Sequence, residues 1–339
     1  MASLDSAIAH EKRSIDRKAI IQKFAALAGL VLLVIAFSLT SGAFLTMSNV
    51  VTIALQTSTI AFIGIGATVT IITAGIDLSL GSVLALAGVV AAMAAQMGVP
   101  VPLAFLIGVA TGGVCGVFNG LVITRLKLPP FIATLGMMMI ARGVALQITG
   151  ARPVSGLPSS FGTLGNDSLW RVLTETANGF PKIVFPGIPY PVILMAVLAI
   201  IMAVVLRKTP FGRHLYSIGS NEEAARLSGV KITKVKIGAY VLSGLMAGVA
   251  GIVLMSRLVT GQPNEGVAYE LDAIAAAVIG GTSLAGGVGT ISGTIIGAFI
   301  IGILRNGLNM NGVSSFTQMI IIGLVIIGTV WIDQLRNRR

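Results

Sequence analysis

One cysteine, Cys115, lies in an apolar run, so no intrachain disulfide can form. Only two histidines, His10 and His214, are present, too few for a metal site of the His/Cys type. Charge is scarce: 10% of the 339 residues are Asp, Glu, Lys or Arg, and 55% are hydrophobic. A soluble domain carries about 25% charged residues, so water is not the solvent of most of this chain. No G-x-x-x-x-G-K-[ST] run occurs, which excludes a phosphate-cradling Walker loop. No Ser/His/Asp set or carboxylate pair stands out as catalytic, and no row of carboxylates or histidines offers a proton relay. The chain is read as non-enzymatic, with no metal and no cofactor of its own. A path built from Asn, Gln, Ser, Thr and backbone would suit a neutral, hydroxyl-rich solute.

What is abundant is apolar length and glycine. Ten candidate spans lie at about 20–40, 49–73, 80–97, 101–123, 130–149, 190–206, 237–259, 270–285, 288–308 and 314–332. The expected fold is an all-α membrane protein with about ten transmembrane helices and both termini cytoplasmic. Residues 1–19 form a cytoplasmic segment, 20–332 the polytopic domain, and 333–339 a cytoplasmic tail. The apolar run after residue 19 is long enough to span, so it reads as a signal-anchor and not a cleaved signal. Gly280, Gly281, Gly286 and Gly287 crowd the end of the eighth span, which allows a broken or re-entrant helix there.

The net charge of +11 would suit nucleic acid, but its distribution argues for a membrane and no nucleic acid. Five basic residues precede residue 24, two lie in the turn Arg125–Lys127, seven in 207–236 and three after residue 335. The ten-span count places all four segments inside, as the positive-inside rule requires. The outside segment 150–189 holds five prolines and is expected to be mostly irregular, with a small amphipathic helix at 168–173. It is either a passive connector or a docking surface. Gly108, Gly112, Gly116 and Gly120 recur every four residues, as do Gly289, Gly293 and Gly297, and Ser243, Ala247 and Gly251. Such stripes let helix backbones approach in lipid, within one subunit or between two.

The polar island 207–236 contains a short helix signal. Ser220 is placed to cap, with Glu223 completing a capping box. Gly229 suits the left-handed position after a helix. A helix of about two turns is unstable alone, so the protein, a partner or both must hold it. Ala224 and Ala225 would leave its surface shallow.

Polar residues near the bilayer are few. Asp77 or Ser79 is expected to cap the third helix, with a direct substrate contact as the alternative. Ser82 follows. Glu270 and Asp272 open the eighth span as caps or a gate pair. Arg305, Asn306 and Asn309 end the ninth, either snorkelling or lining a polar path. Asp77, Ser79, Ser82, Glu270, Asp272, Asn306 and Asn309 are therefore the candidate path or gate residues.

Several runs resemble a known family. The order Glu223-Ala224-Ala225, three residues, Gly229 resembles the EAA loop of ABC-importer permeases. Gly75-Ile76-Asp77-Leu78-Ser79, Phe131-Ile132-Ala133-Thr134-Leu135, Arg226-Leu227-Ser228-Gly229, Tyr269-Glu270-Leu271-Asp272 and Gly280-Gly281-Thr282-Ser283-Leu284-Ala285-Gly286-Gly287 resemble the permease subunit of ribose-type sugar ABC importers. The likeness runs from about residue 45 to 325, and Gly312-Val313-Ser314-Ser315 is similar to the ribose members. Val288 stands where relatives often carry a charge. The resemblance implies import of a neutral monosaccharide, ribose or a related sugar, across a bacterial inner membrane. It implies a homodimer, a separate ATPase subunit carrying ATP and Mg, and a periplasmic sugar-binding protein. It also implies that Gly219-Ser220-Asn221-Glu222-Glu223-Ala224-Ala225-Arg226-Leu227-Ser228-Gly229 couples to the ATPase. The rival readings are a secondary transporter driven by an ion gradient, which should show more intramembrane ionisable groups, and a membrane-embedded enzyme.

Overall fold

The computed structural model describes residues 26–175 and 181–337. The expected segment 1–19 lies outside the described residues. The helices are α1 (Ala26–Thr40), then α2 (Met47–Ile72), α3 (Leu80–Gln96), α4 (Val101–Arg125), α5 (Pro130–Thr149), α6 (Thr163–Asn166), α7 (Tyr190–Lys208), α8 (Pro210–Ser220), α9 (Glu222–Leu227), α10 (Ile232–Leu258), α11 (Tyr269–Ile279), α12 (Ile291–Met310) and α13 (Ser315–Asn337). Six of these, α2, α4, α5, α7, α10 and α12, are long and apolar enough to cross a membrane. No helix break marks the expected boundary at residue 332, because α13 runs on to Asn337.

The eighth expected span is not one helix. At about 1.5 Å per residue, α11 is about 16 Å long, roughly half a hydrocarbon core of about 30 Å. It stops at Ile279, Gly281 turns the chain at φ +91°, and the next helix begins only at Ile291.

Helices α2, α10 and α12 form the centre, each with about two-thirds of its apolar window buried, while α4, α5 and α7 turn more of their surface outward. The α4 glycine stripe packs within the chain. A Cβ at Gly112 would collide with the Gly244 carbonyl of α10, and one at Gly116 with the Tyr240 carbonyl. Gly293 and Gly297 of α12 meet the carbonyls of Gly280 and Ala276 in the same manner. Small residues here replace side-chain interdigitation with backbone contact.

The described residues of the segment after α5 hold more regular structure than its prolines suggest. A 3-10 turn at Ser159–Gly162 and α6 dock on α10: the Ser256 hydroxyl donates to the Phe161 carbonyl (2.6 Å) and accepts from the Gly165 amide (2.8 Å). The helix expected at 168–173 is absent. Instead β1 (Ser168–Leu169) pairs antiparallel with β4 (Ile188–Pro189), and β2 (Val172–Glu175) with β3 (Pro181–Phe185). Trp170 at φ +61° breaks any helix there, and the β-branched Val172, Thr174, Ile183 and Val184 favour strands.

Candidate functional site

The island 207–236 folds as two helices. Thr209 and Pro210 start α8: the Thr209 hydroxyl accepts from the Gly212 amide, and proline takes the first helical position. Phe211, Leu215 and Ile218 repeat at helical spacing and pack into a core cluster with Ile72 and Met202. Ser220 is the last residue of α8 and does not cap α9. Asn221 does, in extended geometry, its Oδ1 accepting from the Ala224 amide at 2.9 Å. Glu223 forms no capping box; it lies 3.6 Å from Arg226 on the exposed surface. Lys236 of α10 holds Glu222 at 2.6 Å. Ala225 faces inward, 4% exposed, which anchors the six-residue helix and corrects the reading of both alanines as outer surface. Leu227 projects at 83% exposure beside exposed Ala224 and Ser228. Gly229 ends the helix at φ +82° with open space around it.

The other end of α8 is seated in the protein. A Cβ at Gly219 would collide with the Ile72 carbonyl and the Gly287 amide. Gly287 donates to the Ile72 carbonyl at 2.9 Å, and Gly286 lies against Ala74. The Tyr216 hydroxyl donates to the Gly289 carbonyl at 2.8 Å, and burial pushes that phenol above its usual range. The α8 end, the α2 end and the turn 280–290 thus form one knot.

From the knot, residues 73–79 turn back into the bundle. Thr134 of α5 grips this segment twice, accepting from the Leu78 amide and donating to the Ile76 carbonyl, both at 3.2 Å. Asp77 is 2% exposed. Its Oδ1 accepts from the Ser79 amide (3.0 Å) and hydroxyl (2.6 Å), and its Oδ2 from the Ser243 hydroxyl of α10 (2.8 Å). The Asn119 amide of α4 donates to the Ser79 hydroxyl at 3.0 Å. Neither Asp77 nor Ser79 makes a side-chain cap bond to α3. Asp77 is instead the centre of a cross-bundle network, because burial obliges a carboxylate to collect every donor in reach. The neighbouring Ser82 is buried in the first turn of α3.

The remaining candidates fall in separate places. Glu270 lies against the start of α3, beside Gly81. Asp272 does not cap α11; Arg305 of α12 donates to both its oxygens at 2.7 and 2.9 Å. Arg305 is therefore tied to a buried partner while 35% of its own side chain stays exposed. Asn306 and Asn49 of α2 exchange amide bonds of 3.0 Å each way. Asn309 is exposed near the end of α12 and does not join them. Asn49, Asn119, Tyr240 and helix α8 carry no expectation from the sequence, and Ser243 is read there only as part of a small-residue stripe. The lone Asn119 in an apolar span and the Thr209-Pro210 start were the signals available.

These features define a multi-pass helical membrane protein with a polar interior and a short helix displayed at one end, the build of a permease. The chain belongs to the family described as branched-chain amino acid transport system / permease component, whose model matches residues 49–330. It is similar to the ribose import permease protein RbsC of Bacillus subtilis (strain 168), 43% identical over 327 residues, 96% of this chain and 97% of the relative. RbsC of Escherichia coli (strain K12) is 42% identical, covering 93% of this chain and 95% of the relative. The xylose transport system permease protein XylH of the same strain is 35% identical, covering 94% and 93%. No solved structure matches the chain. The likeness to ribose-type permeases read from the motifs therefore holds along nearly the whole chain.

Proposed function

We propose that this chain is the transmembrane subunit of an ABC importer that carries a neutral monosaccharide, ribose or a related sugar, inward across a bacterial inner membrane. The relatives named for ribose import and for xylose transport support the sugar class, since they cover more than nine-tenths of the chain. The observation that carries the mechanism is the knot: the α8–α9 unit touches Ile72 and the 286–287 turn, which touch the segment leading to Asp77. A partner ATPase would seat Leu227, Ala224 and Ser228, and the run from Gly219 to Gly229 would carry its movement inward. ATP and Mg belong to that partner; this chain does no covalent chemistry.

The reading includes ten crossings with both termini cytoplasmic, α11 and the turn after it making one of them. It includes a homodimer, a periplasmic sugar-binding protein docking at the 150–189 end, and alternating access along the dimer axis. Asp77, Ser79 and Ser82 would hold the inner half of the path. Glu270, Asp272, Asn306 and Asn309 would shape the outer half. Closure of the ATPase dimer would push α9, shift the knot and move 73–79 against α3 and α10.

The test is uptake into proteoliposomes containing the permease, its ATPase and loaded binding protein, with no ion gradient. Uptake should require ATP on the ATPase face. Uptake that follows an ion gradient and ignores ATP would favour a secondary transporter and reject the importer.

A further inference from the structure

Beside the Asp272–Arg305 pair lies a cavity of about 180 Å³, bounded by Gln56 and Thr59 of α2, Arg257 of α10, Tyr269 and Asp272 of α11, and Arg305 of α12. Two of its lining groups are buried without partners. Thr59 is 3% exposed and its hydroxyl makes no hydrogen bond. The Arg305 Nε is likewise unpaired, although its terminal nitrogen holds Asp272. Buried polar groups are nearly always satisfied, so two orphans on one cavity point to something that fills it.

The chemistry of the lining narrows the occupant. Arg305 Nε can only donate, Asp272 can only accept, and Thr59 and the Gln56 amide can do both. A hydroxyl serves all of them. Two neighbouring hydroxyls could meet the Arg305 donor and an Asp272 lone pair together. The Tyr269 ring adds an apolar face for C–H groups. A carboxylate or phosphate would face Asp272, and a cation would face Arg257 and Arg305. The volume is below the roughly 300–1,000 Å³ of clefts for drug-sized ligands, so the occupant is small. The cavity also lies where the 150–189 segment docks: Asn166 donates to the Arg257 carbonyl at 3.2 Å.

We propose that this cavity is a sugar-contact subsite, holding hydroxyls of a neutral monosaccharide through Thr59, Asp272 and Arg305. The inference rests on the importer reading and adds to it: the permease itself recognises the sugar and is more than a passive conduit.

The test uses the full chain in lipid nanodiscs, with Cys115→Ser and Gln56→Cys, labelled by a maleimide. Excess D-ribose or D-xylose should slow labelling at Gln56→Cys several-fold and leave Ser159→Cys unaffected. Adding Thr59→Val should remove the protection while labelling in the absence of sugar stays at the parent rate. Unchanged labelling in saturating amounts of both sugars, by a protein that supports ATP-driven uptake of one of them in the complete importer, would overturn the subsite and leave the importer standing. Protection equal with and without Thr59→Val would also overturn it. The labelling assay contains no ATPase, so failure of ATP-driven uptake counts against the importer reading alone.

Discussion

Asn49 and Asn306, 257 residues apart, are bound to each other by two amide hydrogen bonds of 3.0 Å that tie α2 to α12. The arrangement is reciprocal: each carboxamide donates once and accepts once. Asn49 also donates to the Phe44 carbonyl at 2.8 Å, so the pair fixes the chain entry to α2 as well.

Asn306→Leu should cost roughly 1–2 kcal/mol, the scale of interhelical hydrogen bonds between membrane helices, because it takes away the partner of the half-buried Asn49 amide. Asn49→Leu should cost at least as much. The double variant should be less destabilised than the sum, since no amide is then left alone. Thermal denaturation of the four proteins in detergent measures the coupling. Strict additivity would mean the pair contributes nothing.

Asp77→Asn should keep insertion and most transport. Its amide oxygen can still accept from Ser79, and the Ser243 hydroxyl can turn to accept from the new NH₂. Asp77→Ser is too short to reach both and should be weaker. Asp77→Ala should fare worst, leaving the hydroxyls of Ser79 and Ser243 short of acceptors, at a cost of about 1–3 kcal/mol. Membrane yield and uptake for the three variants decide this. Loss of uptake in Asp77→Asn at normal membrane levels would show that the charge itself is required.

The α9 helix separates a coupling defect from a folding defect. Leu227→Glu changes an exposed side chain and should leave the permease stable while abolishing ATPase stimulation by loaded binding protein. Gly229→Val should behave similarly, with strain of roughly 1–2 kcal/mol from its left-handed backbone, and Gly229→Asn should be milder. Ala225→Glu differs, because it buries a charge in the core cluster of α8 and α10 and should lower thermal stability as well. A stable, fully coupled Leu227→Glu protein would remove α9 from the proposed docking surface.

Topology can be read directly. In a Cys115→Ser background, Ser159→Cys and Ser220→Cys are both exposed positions. Ser159→Cys should react with an impermeant thiol reagent from outside intact cells, and Ser220→Cys only after the membrane is opened. Labelling of both from one side would reject ten crossings.

What was legible in the sequence was local. Apolar length located the long helices, four-residue glycine spacing marked α4 as a close-packing helix without naming its partner, and Gly229 announced its own positive φ. What was hidden depends on partners far along the chain. Asp77 looks like a helix cap because Ser79 is two residues away, but Ser243 and Asn119 redefine it. Asp272 looks like a first-turn acid until Arg305 arrives from another helix. The α8 helix is masked in the sequence by the seven basic residues of the island 207–236, which read as a topology signal, although Phe211, Leu215 and Ile218 carry helical spacing. The proline count disguised the hairpins, since prolines at 181, 186 and 189 sit at strand edges and turns, where a missing amide is harmless.

The Asp77 network also dictates an order of assembly. The carboxylate is synthesised 166 residues before Ser243, and Tyr240, whose hydroxyl lies against Gly75, arrives almost as late. Until α10 leaves the ribosome, the 73–79 segment lacks the partner that satisfies Oδ2, and a lone acid is costly in hydrocarbon. Nascent chains ending before residue 232 should therefore keep this segment at the aqueous surface, and its burial marks the moment when α10 enters the bundle. Chains truncated ahead of α10 are therefore expected to leave Asp77 accessible to an aqueous probe, and chains that include Ser243 to protect it.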